Sequence, residues 1–346
     1  MIFKTKPLSP LMRAALGGLV WLVVVWSSVQ DVRSFQWASA LLLLAALVLV
    51  PLVIALVREP AKGGWTEGLL AVVEYLQLPA AAALMLSAPL PSGWPAAALA
   101  APWIALTFAV AVAGVGRLWL RGGRPRWALA RDVGLGFFAV AGAWTFAFRL
   151  GLQPLGFSFD IVQLTAVHFH YAGLVLPVVT ALVLRETRSS RAVFVAMWGV
   201  LVGVPLVAVG ITATQLGAGH GVELLSALVL GGGAMAIAIF QVRLARETRW
   251  PLAVRVLWVV AGFSLFFGML LAVLYAARPY VAPLPWLDIP WMRALHGSAN
   301  ALGFAACALV GWTLALRATS AKPAVTPLPP ARGGQRQQRR DKPKRR

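Results

Sequence analysis

The sequence predicts an all-α protein, a polytopic transmembrane bundle of about ten helices with both termini in the cytoplasm. Three observations lead there. Only 12% of the 346 residues are charged and 60% are hydrophobic, whereas a soluble domain needs about a quarter of its residues charged to cover its surface. The apolar residues come in runs of roughly 16–25, long enough for about 30 Å of hydrocarbon. The basic residues collect in alternate loops, the mark of cytoplasmic loops. The short alternating segments that build outer-membrane barrels are not seen.

The runs place spans near 14–30, 38–57, 68–88, 95–116, 128–149, 161–184, 192–214, 220–241, 252–277 and 292–316. Loop signals separate them: Arg58-Glu59-Pro60, the Pro-Leu-Pro-Ser-Gly of 89–93, the Arg-Gly-Gly-Arg-Pro of 121–125 and the Pro-rich stretch 279–290. With the N-terminus inside, all of the 31 basic residues except Arg33, Arg149, Arg278 and Arg293 fall on the cytoplasmic side. A missed central span would scramble this alternation. The net charge of +20 therefore reads as membrane orientation. Trp94, Trp127, Trp250 and Trp291 lie near span ends as interfacial anchors.

Lys4, Lys6 and Arg13 precede a short apolar run, as in a secretory signal. No convincing small-x-small site follows, so an uncleaved first helix is predicted. Residues 1–317 form the membrane domain. Residues 318–346 are poor in apolar residues and rich in Pro, Gln, Lys and Arg, the composition of a disordered basic cytoplasmic tail. Such a tail is attracted to anionic lipid headgroups. No aromatics interleave its charges, which argues against nucleic acid. The single Cys307 excludes an intramolecular disulfide and reads as a packing residue. Two inverted five-helix halves are allowed, but 14–149 and 161–316 show no self-similarity.

The ionisable residues inside the spans point to function, because such groups are costly in a bilayer and face a bundle interior or a cavity. His168 and His170 lie seven to nine residues into the sixth span, about 10–14 Å deep at 1.5 Å per residue. The eighth span begins with His220 and Glu223, the tenth with Arg293, His296 and Asn300. By the topology above, all four histidines belong to the outer half of the membrane, near Asp160, Gln163, Gln215 and Arg149. Helical spacing puts Asp160, Gln163 and His170 on one stripe and His168 on the opposite side with Thr165. One regular helix cannot turn both imidazoles to one metal, so either they serve two neighbours or the helix is distorted. His296, Asn300 and Gly303 form a stripe, and Gly297 allows another helix close. Each of these histidines has a plainer reading as a hydrogen-bonding strut between helices. Glu223 has one as an interfacial anchor, and the glycines 231–233 as a site of close packing. Glu74, in the inner half of the third span beside Tyr75 and Gln77, is either a proton-carrying group or a buried strut. Arg131 with Asp132 reads as an interfacial ion pair.

The stretch 164–174, Leu-Thr-Ala-Val-His-Phe-His-Tyr-Ala-Gly-Leu, and the later 295–304, Leu-His-Gly-Ser-Ala-Asn-Ala-Leu-Gly-Phe, resemble two segments of the YndJ-like family of bacterial membrane proteins. The resemblance covers the membrane region. It implies a multispanning fold, a loose transporter label, and His168, His170, Tyr171, His296 and Asn300 as family-type positions. Some relatives look longer, with an extra soluble region whose role does not carry over.

The expectation is a multi-pass protein of the bacterial inner membrane with an outward-facing, His-lined polar pocket for a small solute. His168, His170, Tyr171, His296, Asn300, Glu223, Asp160 and Gln163 would form the ligand site. Imidazoles titrate near neutral pH, and Glu74 would complete a proton route. No nucleotide loop, G-x-S-x-G, H-E-x-x-H or paired CxxC is present, which leans against an enzyme. No cofactor is predicted. The alternative is a metal, haem or lipid-modifying enzyme in which His168, His170 and His296 hold zinc or haem.

Overall fold

The computed structural model describes residues 8–187, 190–281, 284 and 286–320. Among them, ten helices are long and apolar enough to cross a membrane: α1 Pro10–Ser28, α2 Phe35–Val57, α3 Trp65–Ser87, α4 Trp94–Arg121, α5 Arg126–Leu150, α6 Phe159–Glu186, α7 Arg191–Gln215, α8 Gly221–Ala245, α9 Leu252–Ala277 and α10 Ile289–Thr319. No strand occurs among the described residues. All ten predicted spans are present. The largest displacement is at the end of α4, which continues past 116 to Arg121 because its last turn joins the ion pairs described below. Ala318 and Thr319 prolong α10; the rest of the predicted tail, from 321 on, lies outside the described residues, as do residues 1–7.

Short side chains close the helix starts. Ser9, Ser34, Ser158 and Ser190 accept from the backbone N–H three residues on, at the heads of α1, α2, α6 and α7, and Asp288 does the same for α10 at 3.0 Å. Each satisfies a donor that the first turn leaves without a partner.

Two helices are central. The apolar windows of α2 and α6 are 83% and 89% buried inside the protein, against 22–50% for the other eight. α2 packs on α1, α3, α6 and α10, and α6 on α5, α7, α8, α2 and α10. The sequence of α6 requires this. Gln163, His168, His170 and Tyr171 carry polar groups that their own helix cannot fully satisfy against lipid, so the helix that carries them is enclosed by others. Glycines allow close crossings: a Cβ on Gly233 of α8 would sit 2.7 Å from the carbonyl carbon of Gly199 on α7. Gly231 packs as well, against Val273, while Gly232 faces open space, and α8 continues through the run unbroken.

The central helices contain wider, π-helical turns, at Ala45–Leu49 in α2 and Phe169–Val175 in α6, and α10 carries two more, at Met292–Gly297 and Ala299–Ala306. The first two each end two residues before a proline, Pro51 and Pro177. Proline lacks an N–H and crowds the carbonyl four residues back, which a wider turn relieves. In α2 the N–H of Val50 bonds Ala45 rather than Ala46. The Ala46 carbonyl, without its usual donor, accepts instead from Gln77 Nε2 of α3 at 2.7 Å.

Candidate functional site

A cavity of about 400 Å³ lies where α6, α8, α9 and α10 meet α2, α5 and α7. Its wall is mostly apolar, with His168, Tyr171, Glu223, Arg293, His296 and Asn300 as its principal polar members. The expected polar pocket is thus an apolar chamber with a few placed polar groups, because Leu, Val and aromatic residues of seven elements fill the space between them.

The α10 side is the most ordered. His296 Nδ1 donates to the Gly268 carbonyl of α9 at 2.8 Å, which assigns the proton to that nitrogen. The approach requires glycine, since a Cβ at 268 would meet the Asn300 amide at 2.5 Å. Asn300 Nδ2 donates to the His296 carbonyl at 3.0 Å. Asn300 Oδ1, buried, has no partner, and neither does His168 Nε2 on α6. Asn300 Oδ1 is an acceptor and His168 Nε2 an imidazole nitrogen, both in a place where an unmet polar atom costs about 1–3 kcal/mol.

The remaining wall groups are engaged. Tyr171 gives its hydroxyl to the Leu41 carbonyl at 2.7 Å. Glu223 accepts from Thr214 Oγ1 at 2.9 Å and lies 3.5 Å from the exposed His220 Nδ1. Arg293, buried, pairs with Asp160 at 3.0 Å and donates to the Arg33 carbonyl at 2.6 Å.

Three predicted residues are not in the cavity wall. His170, on the same helix as His168, is fully buried and stacked on Trp103 of α4, with ring centroids 6.0 Å apart. Its Nδ1 donates to the Ala166 carbonyl at 2.8 Å, and its Nε2 accepts from Trp103 Nε1 at 3.2 Å. That pattern demands a neutral ring. Gln163 donates to Ser39 Oγ of α2 at 2.7 Å. Asp160 meets α10 through Arg293. The shared stripe of Asp160, Gln163 and His170 does not make one site, because a central helix meets different neighbours at different depths. His170 meets α4 while His168 lines the cavity, and the π turn begins between them. Among the described residues, no three His, Cys, Asp or Glu side chains converge as metal ligands, and the trio His168, His170 and His296 is divided by the sealing of His170.

Glu74 lies at the opposite, arginine-rich end, where it accepts from Arg13 at 2.5 Å and from Arg58. It belongs to a lattice the loop-charge reading does not reveal. Glu67 pairs with buried Arg117; Asp132 takes Arg131 Nε at 2.7 Å; Glu59 takes Arg121 at 2.6 Å, Lys62 at 3.0 Å and Arg131 at 3.3 Å. Desolvation works to raise the Glu59 pKa, but Arg131, Lys62 and Arg121 outweigh it and hold the carboxylate at about 2. A usable signal was present: Glu67 and Glu74 are seven apart on α3, and Arg117 and Arg121 are four apart on α4 at the same end, although only Glu67 and Arg117 meet.

The family model of YndJ-like proteins matches residues 40–304, which includes both histidine segments, the cavity wall and most of the charge lattice. A protein of Bacillus subtilis (strain 168), named "uncharacterized membrane protein YndJ", is 30% identical over 183 residues, 52% of this chain and 32% of that protein. The chain thus matches about a third of that relative's length. No solved structure matches significantly. With its ten spanning helices, the chain is a multi-pass protein of the bacterial inner membrane and belongs to the YndJ-like family.

Proposed function

We propose that this protein binds a small amphipathic solute in the α6–α10 cavity and passes it into or across the outer leaflet. The observation that carries the reading is the pair of buried polar atoms, His168 Nε2 and Asn300 Oδ1, left without partners on two residues of an otherwise apolar wall. A solute with an apolar body and one N–H or O–H group would satisfy them, and small-molecule sites are built this way. The surrounding polar groups each hold at least one partner, so they shape the site: Gly268 and His296 hold Asn300, and the Asp160–Arg293 pair ties α6 to α10. The positive-inside bias supports placing this cavity toward the periplasmic face. The wider turns of α6 and α10 give these two helices a way to shift register without breaking their hydrogen bonds outright.

The test is a thermal-shift screen of the purified protein in detergent against small amphipathic alcohols, amines and amides, followed by flux of any hit in proteoliposomes. His168→Phe and Asn300→Leu should abolish both signals while leaving insertion intact. A hit whose stabilisation and flux survive in both variants overturns the assignment of this cavity.

A further inference from the structure

We propose that the arginine-rich end carries a second site, for a phosphate-bearing anion, in a cavity independent of the solute chamber. This cavity of about 280 Å³ lies between the ends of α2, α6 and α10 and the start of α5. Arg58, Arg131, Arg185 and Trp127 stand on its wall, with Glu59 as its carboxylate and Leu56, Val178 and Leu182 on its apolar side.

Charge and unmet donors argue for the ligand. The adjoining lattice holds six cations, Arg13, Arg58, Lys62, Arg117, Arg121 and Arg131, against four carboxylates, Glu59, Glu67, Glu74 and Asp132. Arg185 adds a further positive charge. It has no ion pair among the described residues, and its guanidinium lies 5.6 Å from the Trp127 ring centroid. The Arg131 guanidinium lies 5.2 Å from the same ring, and its Nη2, on a residue only 4% exposed, has no hydrogen-bond partner. Glu59 does not answer that donor, since its oxygens already take Lys62, Arg121 and Arg131 Nη1. A buried guanidinium with a free N–H, a second guanidinium on the same indole and an excess of positive charge suit a phosphate, which takes several charge-assisted bonds at once. The apolar side would accommodate the chain of a lipid whose headgroup supplied that phosphate. Basic pockets between spanning helices hold lipid headgroups in this manner. A soluble phosphate monoester presents the same group.

The full chain in detergent tests this. Thermal unfolding is followed as dioleoyl phosphatidylglycerol, dioleoyl phosphatidylcholine, glycerol 3-phosphate or inorganic phosphate is added. Each titration is repeated in Arg185→Gln and in Arg246→Gln, which removes an exposed charge from the same end away from the cavity. A phosphate compound of net negative charge should raise the unfolding temperature where the zwitterionic phosphatidylcholine, whose phosphate is balanced by its choline, does not, with an apparent affinity about tenfold weaker in Arg185→Gln and unchanged in Arg246→Gln. Arg131→Lys, which keeps the charge and loses the planar fork, should weaken it as well. Stabilisation by phosphatidylglycerol alone assigns the phosphate to a lipid; stabilisation by glycerol 3-phosphate or inorganic phosphate assigns it to a soluble ligand. Equal weakening in Arg185→Gln and Arg246→Gln, equal stabilisation by phosphatidylcholine, or no response to any phosphate compound overturns the proposal.

Discussion

The two ends of the bundle handle buried polarity in opposite ways. At the arginine-rich end, charges are linked across the starts and ends of α1 to α5, and each carboxylate meets two or more cations. At the histidine end, Tyr171, His296 and the Asn300 amide make one or two neutral hydrogen bonds each, Asp160 and Arg293 form a single pair, and two buried atoms of cavity-wall residues, His168 Nε2 and Asn300 Oδ1, make none. The first arrangement resists motion, because moving any helix would strand a charge in low dielectric. The second tolerates motion and leaves room for a guest. A high density of polar residues therefore does not by itself mark a ligand site; unmet atoms on a cavity wall mark it better.

The largest way to break this contrast is to strand a charge in the lattice. Glu67→Leu leaves Arg117 buried without its main partner and should cost about 3–5 kcal/mol, read as a loss of thermal stability in detergent. The double variant Glu67→Leu with Arg117→Met should recover much of that loss, and a failure to recover would mean that the pair does more than balance charge.

A smaller effect sharpens the contrast within one helix. His170→Phe keeps the ring but orphans Trp103 Nε1, and should destabilise by about 1–3 kcal/mol. The same change at His168 removes an atom that has no partner and should stay within about 1.5 kcal/mol, as volume-conserving swaps do. Equal losses at the two positions would erase the distinction between strut and site.

The smallest effect is set by pH. Glu59 has its pKa lowered from 4.5 to about 2 in the folded protein. A depressed carboxylate adds stability above its unfolded pKa and loses it as pH falls through the folded value. The stability advantage of the unmodified chain over Glu59→Gln should thus shrink as pH falls from 4.5 toward 2. Unfolding temperatures across that range check it, and a difference that does not change with pH would mean the Glu59 ion pairs contribute nothing.

Much of the fold was legible because span length and loop charge are one-dimensional signals. Residues 252–277 were bounded to the residue by hydropathy alone, and α6 could be placed in the interior from its polar content. The site was legible in part. His168, His296, Asn300, Glu223 and Tyr171 do line one cavity, since groups that cannot face lipid are drawn to the same interior. His170 was indistinguishable from His168 in sequence, because both are imidazoles at the same depth and only Trp103, 67 residues away, separates their fates. Proline could have hinted at the wider turns beside Pro51 and Pro177, yet Pro79, Pro102 and Pro205 lie within α-helices that show no such turn, so that hint would have misled as often as it helped.

Sequence alone determined the number of helices, their limits to within a few residues and the need of α6 for company, because the cost of placing peptide and side-chain polarity in hydrocarbon applies to each segment separately. Which carboxylate meets which guanidinium, which imidazole is sealed and which faces a cavity were decided only in three dimensions. Those outcomes depend on partners from distant segments, and a hydrogen bond or ion pair within about 3 Å exists only once helices have packed.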